Sequence, residues 1–201
     1  MEDTYGICLS FDTHMTFLAA QKFSAFDWRK AIAATSYLAE KTGDTLYIVM
    51  KMMYLADKAH LDRYGRFIAG DWYVAMEKGP VPSETYKLLS ALRDGEAADN
   101  TEGAAKQIKV LKDQSIVSIG RENYDELSDS DIECLDAIIE TYRRVGKWSV
   151  KDMSHDEVWE KSWAHKGLFS KRAPMPMDKI AEHVGGAELA AHVRDPQPGS
   201  A

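Results

Sequence analysis

Glycine and proline set the length of everything this chain can build. Gly43 and Gly65 enclose one apolar-rich run. Within it Leu46, Val49, Met50, Met53, Ala56 and Leu61 share one face at helical spacing. The run therefore predicts a helix from Asp44 or Thr45 to Tyr64, ended by Gly65. Ahead of it, Asp27 has the chemistry of an N-cap, and Trp28, Ala31, Ile32, Thr35, Leu38 and Ala39 recur at the same period up to Gly43. Gly70, Gly79, Pro80 and Pro82 then cut residues 66–82 into loop and short extended pieces, too interrupted for a helix. Ser83 is placed to cap a short helix, with Glu84 in its first turn and Tyr86, Leu88, Leu89 and Leu92 as its apolar positions.

The second half is built from shorter units. Residues 93–106 are polar and glycine-rich and read as a surface loop. Alternating runs at Gln107–Lys112 and Ser115–Gly120, split by Asp113 and Gln114, predict a β-hairpin. Ser128 with Asp131 three residues on has the form of a capping box, and Ile132, Leu135, Ile138, Ile139 and Tyr142 continue as a helical stripe. A shorter helix is expected over Val150–Trp163. Pro174 and Pro176 are expected to break the chain, Asp178–Val184 to form the last firm helix and Glu188–Val193 a further one. The expected organisation is an N-terminal extension over 1–26, one domain over 27–185, and a largely disordered tail over 186–201. The fold class is mainly α (α+β), a compact helical domain with a small antiparallel β-hairpin.

Composition narrows the function classes. Hydrophobic residues make up 45 % of the 201 and charged residues 28 %, the balance of a globular domain and not of a disordered or collagen-like chain. The net charge of −7 argues against a nucleic-acid partner, which favours a basic face. No run approaches a transmembrane length, so no membrane partner is expected. The acidic MEDTYGICLS start lacks the basic region of a secretory signal, and Cys8 and Cys134 match no metal or disulfide pattern. A cytoplasmic location with reduced thiols is the expectation. Charge is also uneven. Glu122–Glu140 holds eight acids and no Lys or Arg, whereas 141–179 holds nine Lys and Arg against five acids. Two solvated helix faces would explain this, as would a polarised surface that steers a charged partner.

Candidate chemistry is sparse. Asp57 and His60 stand at i,i+3, with Asp62 near and His155 distant in sequence. They could form a metal or acid–base site, but capping and structural hydrogen bonds explain them as well, since no HExxH or paired CxxC accompanies them. No nucleophile elbow and no phosphate-binding glycine loop is present. Met50, Met52, Met53 and Met76 are either core fillers or an adaptable surface. Trp28, Trp148 and Trp163 are expected at the core edge, and Trp72 and Trp159 are interface candidates. The favoured partner surface is the Asp71–Lys78 segment, with Trp72 as the leading anchor beside Tyr73 and Met76.

One block resembles a known family. Lys51, Tyr54 and Asp57 with His60, then Gly65, Ile68 and Gly70, then Tyr73-Val74-Ala75, then Gly79-Pro80-Val81-Pro82 and Tyr86 are similar to the signature of the Panacea domain, also called the SocA-like antitoxin domain. Ser154-His155, Trp159, Pro176 and Ile180 extend the similarity. Asp156-Glu157-Val158 stands where the family often has a proline, and His183-Val184 replaces an aromatic pair. The resemblance implies a bacterial or phage antitoxin with no cofactor, no metal and no enzymatic activity. Its partner would be a cognate protein toxin, neutralised by direct contact. One alternative is an adaptor that delivers the toxin to an ATP-dependent protease. Another, read from Asp57, His60 and His155 alone, is a metal-dependent hydrolase.

Overall fold

The computed structural model describes residues 26–119 and 121–194. The extension up to residue 25, with Cys8, and the final DPQPGSA lie outside the described residues.

Helix α1 spans Trp28–Thr42. The Asp27 carboxylate accepts from the backbone N–H groups of Arg29 and Lys30, and Gly43 closes the helix at φ 65°. Helix α2 spans Leu46–Tyr64 and ends on Gly65 at φ 69°. The sequence suggests one buried face, but the first three turns of α2 are buried on every side. From Leu46 to Asp57 only Tyr47 escapes full burial. It is the axis of the molecule, with α1, the helices of the second half and a hairpin packed around it.

That hairpin is β1 (Tyr73–Met76) against β2 (Gly79–Pro82), joined by a two-residue turn at Glu77 and Lys78. The other edge of β1 is covered by β5 (Arg172–Met175), with Val74 opposite Pro174. The strand order is β2-β1-β5. Pro174, expected to break the chain, instead sits in an outer strand, where a missing N–H removes no ladder bond.

Helix α3 spans Ser83–Asp94. Its expected cap, Ser83, makes no capping bond, and Pro82 occupies the N-cap position. The buried carboxylate of Asp71 does the capping. It accepts from the N–H groups of Glu84 (3.1 Å) and Thr85 (2.8 Å) and from the Thr85 hydroxyl (2.6 Å). The expected loop at 93–106 contains a short helix, α4 (Thr101–Ala105), whose Gly103 lies against the Trp28 ring. Strands β3 (Ile108–Val110) and β4 (Ile116–Ser118) pair antiparallel, as the alternation predicts.

A 3-10 turn at Arg121–Glu126 leads to helix α5 (Asp129–Ser154), which opens with the capping box of Ser128 and Asp131. Gly146, at φ 80° and ψ 167°, kinks α5. Beyond the kink Trp148 is 64 % exposed and not at the core edge as expected, whereas Trp28 and Trp163 do pack there. The helix expected over Val150–Trp163 is interrupted. Asp156 starts α6 (Glu157–Ala164) by accepting from the Trp159 N–H. Helix α7 runs Met177–Arg194 and turns at Gly186. The further helix expected over Glu188–Val193 is present as the second part of α7, so within the tail expected to be largely disordered the chain is helical to Arg194. Ala190 and Val193 are buried there, and Arg194 pairs with Asp178 at 2.8 Å. The chain is mainly α with small antiparallel sheets, as expected, although the sequence suggested a single hairpin and β5 adds to a second sheet. Among the described residues no helix is long and apolar enough to cross a membrane.

Candidate functional site

The buried polar residues of α2 follow a helical stripe, and between them they hold several other parts of the chain. Asp57 accepts from the Ile68 N–H at 2.7 Å and from the Tyr73 hydroxyl at 2.5 Å, tying β1 and the loop before it to the helix. Burial raises its carboxyl to about 6, against the pull of those two bonds. Tyr54 donates to Asp156 at 2.8 Å, and Lys58 pairs with the same oxygen at 2.6 Å, so two side chains of α2 fix the start of α6. His60 lies 2.9 Å from the Arg66 carbonyl and 3.1 Å from Asp131, which also pairs with Lys30 (2.7 Å) and Arg66 (3.3 Å). Burial pushes the Asp131 carboxyl up, but its bonds with His60, Lys30 and Ser128 outweigh that and hold it well below the usual carboxylate range. Lys51 donates to the Pro80 carbonyl at 2.7 Å and so holds β2. Buried polar groups are tolerated when they find partners in this way.

Gly79 is where the hairpin comes closest to the helices. It adopts φ 107°, and a Cβ there would lie 2.5 Å from His155 Nε2 and 2.9 Å from Lys51 Cε. The His155 ring stacks on Trp159 at 4.2 Å, and Trp159 donates its indole N–H to the Met76 carbonyl at 3.0 Å. Gly65 and Gly70 take positive φ at turns, as expected of them. Asp156 and His183, two of the positions where the sequence departs from the family pattern, approach each other at 4.0 Å.

The metal reading of Asp57, His60, Asp62 and His155 finds no support in this arrangement. Asp57 and His60 are committed to the contacts above, and Asp62 is exposed. Among the described residues no group of three or more His, Cys, Asp or Glu could hold a metal ion.

The expected partner surface is divided by burial. Asp71 and Tyr73 are buried, Asp71 as the cap of α3 and Tyr73 as the donor to Asp57, and neither lines either of the two large pockets. Trp72 is half-buried against the core, Met76 is half-buried and Lys78 is exposed. Met76 and Lys78 form one wall of an open pocket of about 660 Å³. Lys51 lies at its floor, and Tyr47, Glu77, Tyr86, Trp163, Lys166 and Lys171 are among the other residues that line it. The sequence reading missed Lys166, Lys171 and the loop that carries them. The signal was Leu168-Phe169, an apolar pair set in a polar, basic stretch.

One buried helix, clamped along its length by a hairpin and by the helices of the second half, defines this as an α+β domain whose polar motif organises the fold. Residues 49–160 match the family model for the antitoxin SocA-like, Panacea domain, and the chain belongs to that family. Membership points to a role in a toxin–antitoxin pair. No curated protein and no solved structure matches the chain.

Proposed function

We propose that the chain is the antitoxin of a toxin–antitoxin pair and neutralises its cognate protein toxin in the cytoplasm by binding it directly, without catalysis. The family match over 49–160 carries this reading, since it spans the clamped helix, the hairpin and α6 as far as Glu160. The commitment of the motif's polar side chains to the fold supports it. Lys51, Tyr54, Asp57 and His60 hold elements together and present no nucleophile–base pair to a cleft. Trp72, Met76 and Lys78 are the hairpin residues proposed to touch the toxin.

The test is expression of the toxin encoded beside this chain, with and without the chain, followed by co-purification and a toxin half-life measurement. Restored growth with a stable, co-purifying complex is the expected outcome. Restored growth with accelerated toxin decay would replace direct neutralisation by delivery to an ATP-dependent protease. Restored growth with neither complex nor decay would overturn the binding reading.

A further inference from the structure

The pocket beside the β1–β2 turn is unusual for this chain because its charge is unbalanced. Lys51 is 1 % exposed, and its ammonium group has one hydrogen-bond acceptor, the Pro80 carbonyl, with the Tyr47 ring 5.2 Å away. An ammonium carries three donors. Burial lowers its pKa to about 7, the mark of a cation removed from water without a counter-ion. Around it stand Lys78, Lys166 and Lys171, with Glu77 the only acid in the lining. Among the described residues none of these three lysines forms an ion pair, and Lys166 instead lies over the Trp163 ring at 4.9 Å. The protein as a whole carries −7, whereas the pocket lining holds four lysines and one acid.

A second pocket of the same volume, between α6 and α7, shows the contrast. There Lys161 pairs with Glu157 at 2.5 Å and Lys179 with Glu182 at 2.7 Å, so the charges cancel within the protein. The loop that supplies Lys166, Ser170 and Lys171 to the first pocket also carries Leu168 and Phe169, which are 86 % and 95 % exposed. Bare large apolar side chains beside a pocket are what a protein partner covers, with aromatic residues as the usual anchors.

We propose that the Lys51 pocket is the docking site for an acidic segment of the partner protein, with one Asp or Glu carboxylate seated on Lys51 and the adjoining apolar side chains resting on Leu168 and Phe169. The proposal rests on the reading of the chain as a protein-binding antitoxin and names the partner chemistry it recognises. Three observations select this occupant. The lysines supply the complementary sign, the walls of Tyr47, Tyr86 and Trp163 accept apolar groups between the charges, and the exposed pair extends the surface beyond the pocket. A carboxylate against Lys51 would also give the buried ammonium its missing counter-charge, which favours a segment that reaches the floor over one that stays at the rim.

The experiment uses the full chain and two capped peptides, acetyl-Ala-Glu-Phe-Glu-Leu-amide and its twin with Gln in place of Glu. Binding is followed by amide NMR shifts up to about 2 mM. The acidic peptide should shift Tyr47, Lys78, Trp163 and Phe169 and bind about tenfold tighter than its twin. Lys51→Met should remove that preference. So should the rim pair Lys166→Glu with Lys171→Glu, which leaves the buried interior untouched should Lys51→Met fold poorly. Equal binding of the twins, binding unaffected by these substitutions, or no binding of the acidic peptide would overturn the proposal. Toxin capture by the same variants separates the two readings. If the wild-type chain captures no toxin, the antitoxin reading fails and the peptides still decide the pocket. If toxin capture is insensitive to both variants, the pocket proposal fails and the antitoxin reading stands.

Discussion

The two ends of α2 handle buried charge in opposite ways. Towards its C-terminal end Asp57, Lys58 and His60 meet a hydroxyl, two carboxylates, a backbone N–H and a carbonyl, and each is matched within the fold. Towards its N-terminal end Lys51 has a single carbonyl, and among the described residues the other lysines of its pocket, Lys78, Lys166 and Lys171, form no ion pair. Matched polar groups define architecture, because removing one leaves its partner buried and unsatisfied. An unmatched set costs stability in the free protein and is relieved only from outside. The same helix therefore carries matched polarity at one end and, at the other, the unmatched charge on which the docking proposal rests.

The most damaging change should fall where the hairpin meets both helices. Gly79→Val adds strain at φ 107° to a collision with His155 and Lys51, each effect being worth about 1–3 kcal/mol, so a loss of about 4 kcal/mol is expected in chemical denaturation. A melting temperature within a degree or so of wild type would show that the hairpin shifts freely and does not bind the two ends together.

Next comes the matched end. Asp57→Ala strands the Ile68 N–H and the Tyr73 hydroxyl in the core and should cost about 3 kcal/mol. Tyr73→Phe in the same background should then add less than it does alone, because the two side chains share one bond. Additive losses in that double-mutant cycle would dissolve the distinction between the two ends.

The unmatched end should reveal itself through pH. The folded pKa of Lys51 is lowered from 10.5 to about 7 by burial. Between those values the unfolded chain holds a proton that the folded chain has lost, so stability rises with pH across the window, by up to about 1.4 kcal/mol per unit. The cost is present in full below pH 7. Lys51→Met should lose this slope, so the stability gap between the two proteins should be widest near pH 7 and close as pH rises to 10. Parallel urea-unfolding profiles would mean that Lys51 carries a satisfied charge like those at the other end.

The smallest effect on folding belongs to the loop. Phe169→Ser, at a side chain 95 % exposed, should change stability by no more than about 0.5 kcal/mol. The same variant should weaken partner binding by about 2 kcal/mol, as loss of an anchor does. A large drop in stability would move Phe169 into the architectural set.

Much of this could be read from the sequence wherever the determinant is local. Gly43, Gly65 and the box of Ser128 with Asp131 announce helix ends within a few residues, and the β3–β4 alternation needs only its own run. The motif that suggested the family was also legible, because Lys51, Tyr54, Asp57 and His60 sit on one short helical stretch. What escaped depends on distant partners. Asp71 caps a helix that begins twelve residues later and displaces the obvious candidate Ser83. Pro174 pairs opposite Val74, so β5 could not be recognised from its own punctuation. The polar residues of α2 hide its burial from Leu46 to Asp57, because their partners come from β1, β2, α5 and α6. Of the partner residues expected from the sequence, Met76 and Lys78 border the Lys51 pocket. The burial of Asp71 and Tyr73 escaped because their partners, the start of α3 and Asp57, are distant in sequence, and Lys166 and Lys171 were missed because only folding brings their loop beside the hairpin.

The prolines of the outer strands limit how a neighbour can approach the three-stranded sheet. Pro80 and Pro82 stand at alternate positions of β2, and the Pro80 carbonyl already accepts from Lys51. On the far side Pro174 interrupts β5. Neither border offers a continuous row of N–H donors, so an added strand, whether from a partner or from a second copy of this chain, could not register along it. The sheet is closed to backbone templating. On the proposed reading a toxin would be held by side chains, and a second copy of this chain finds no border of this sheet to extend.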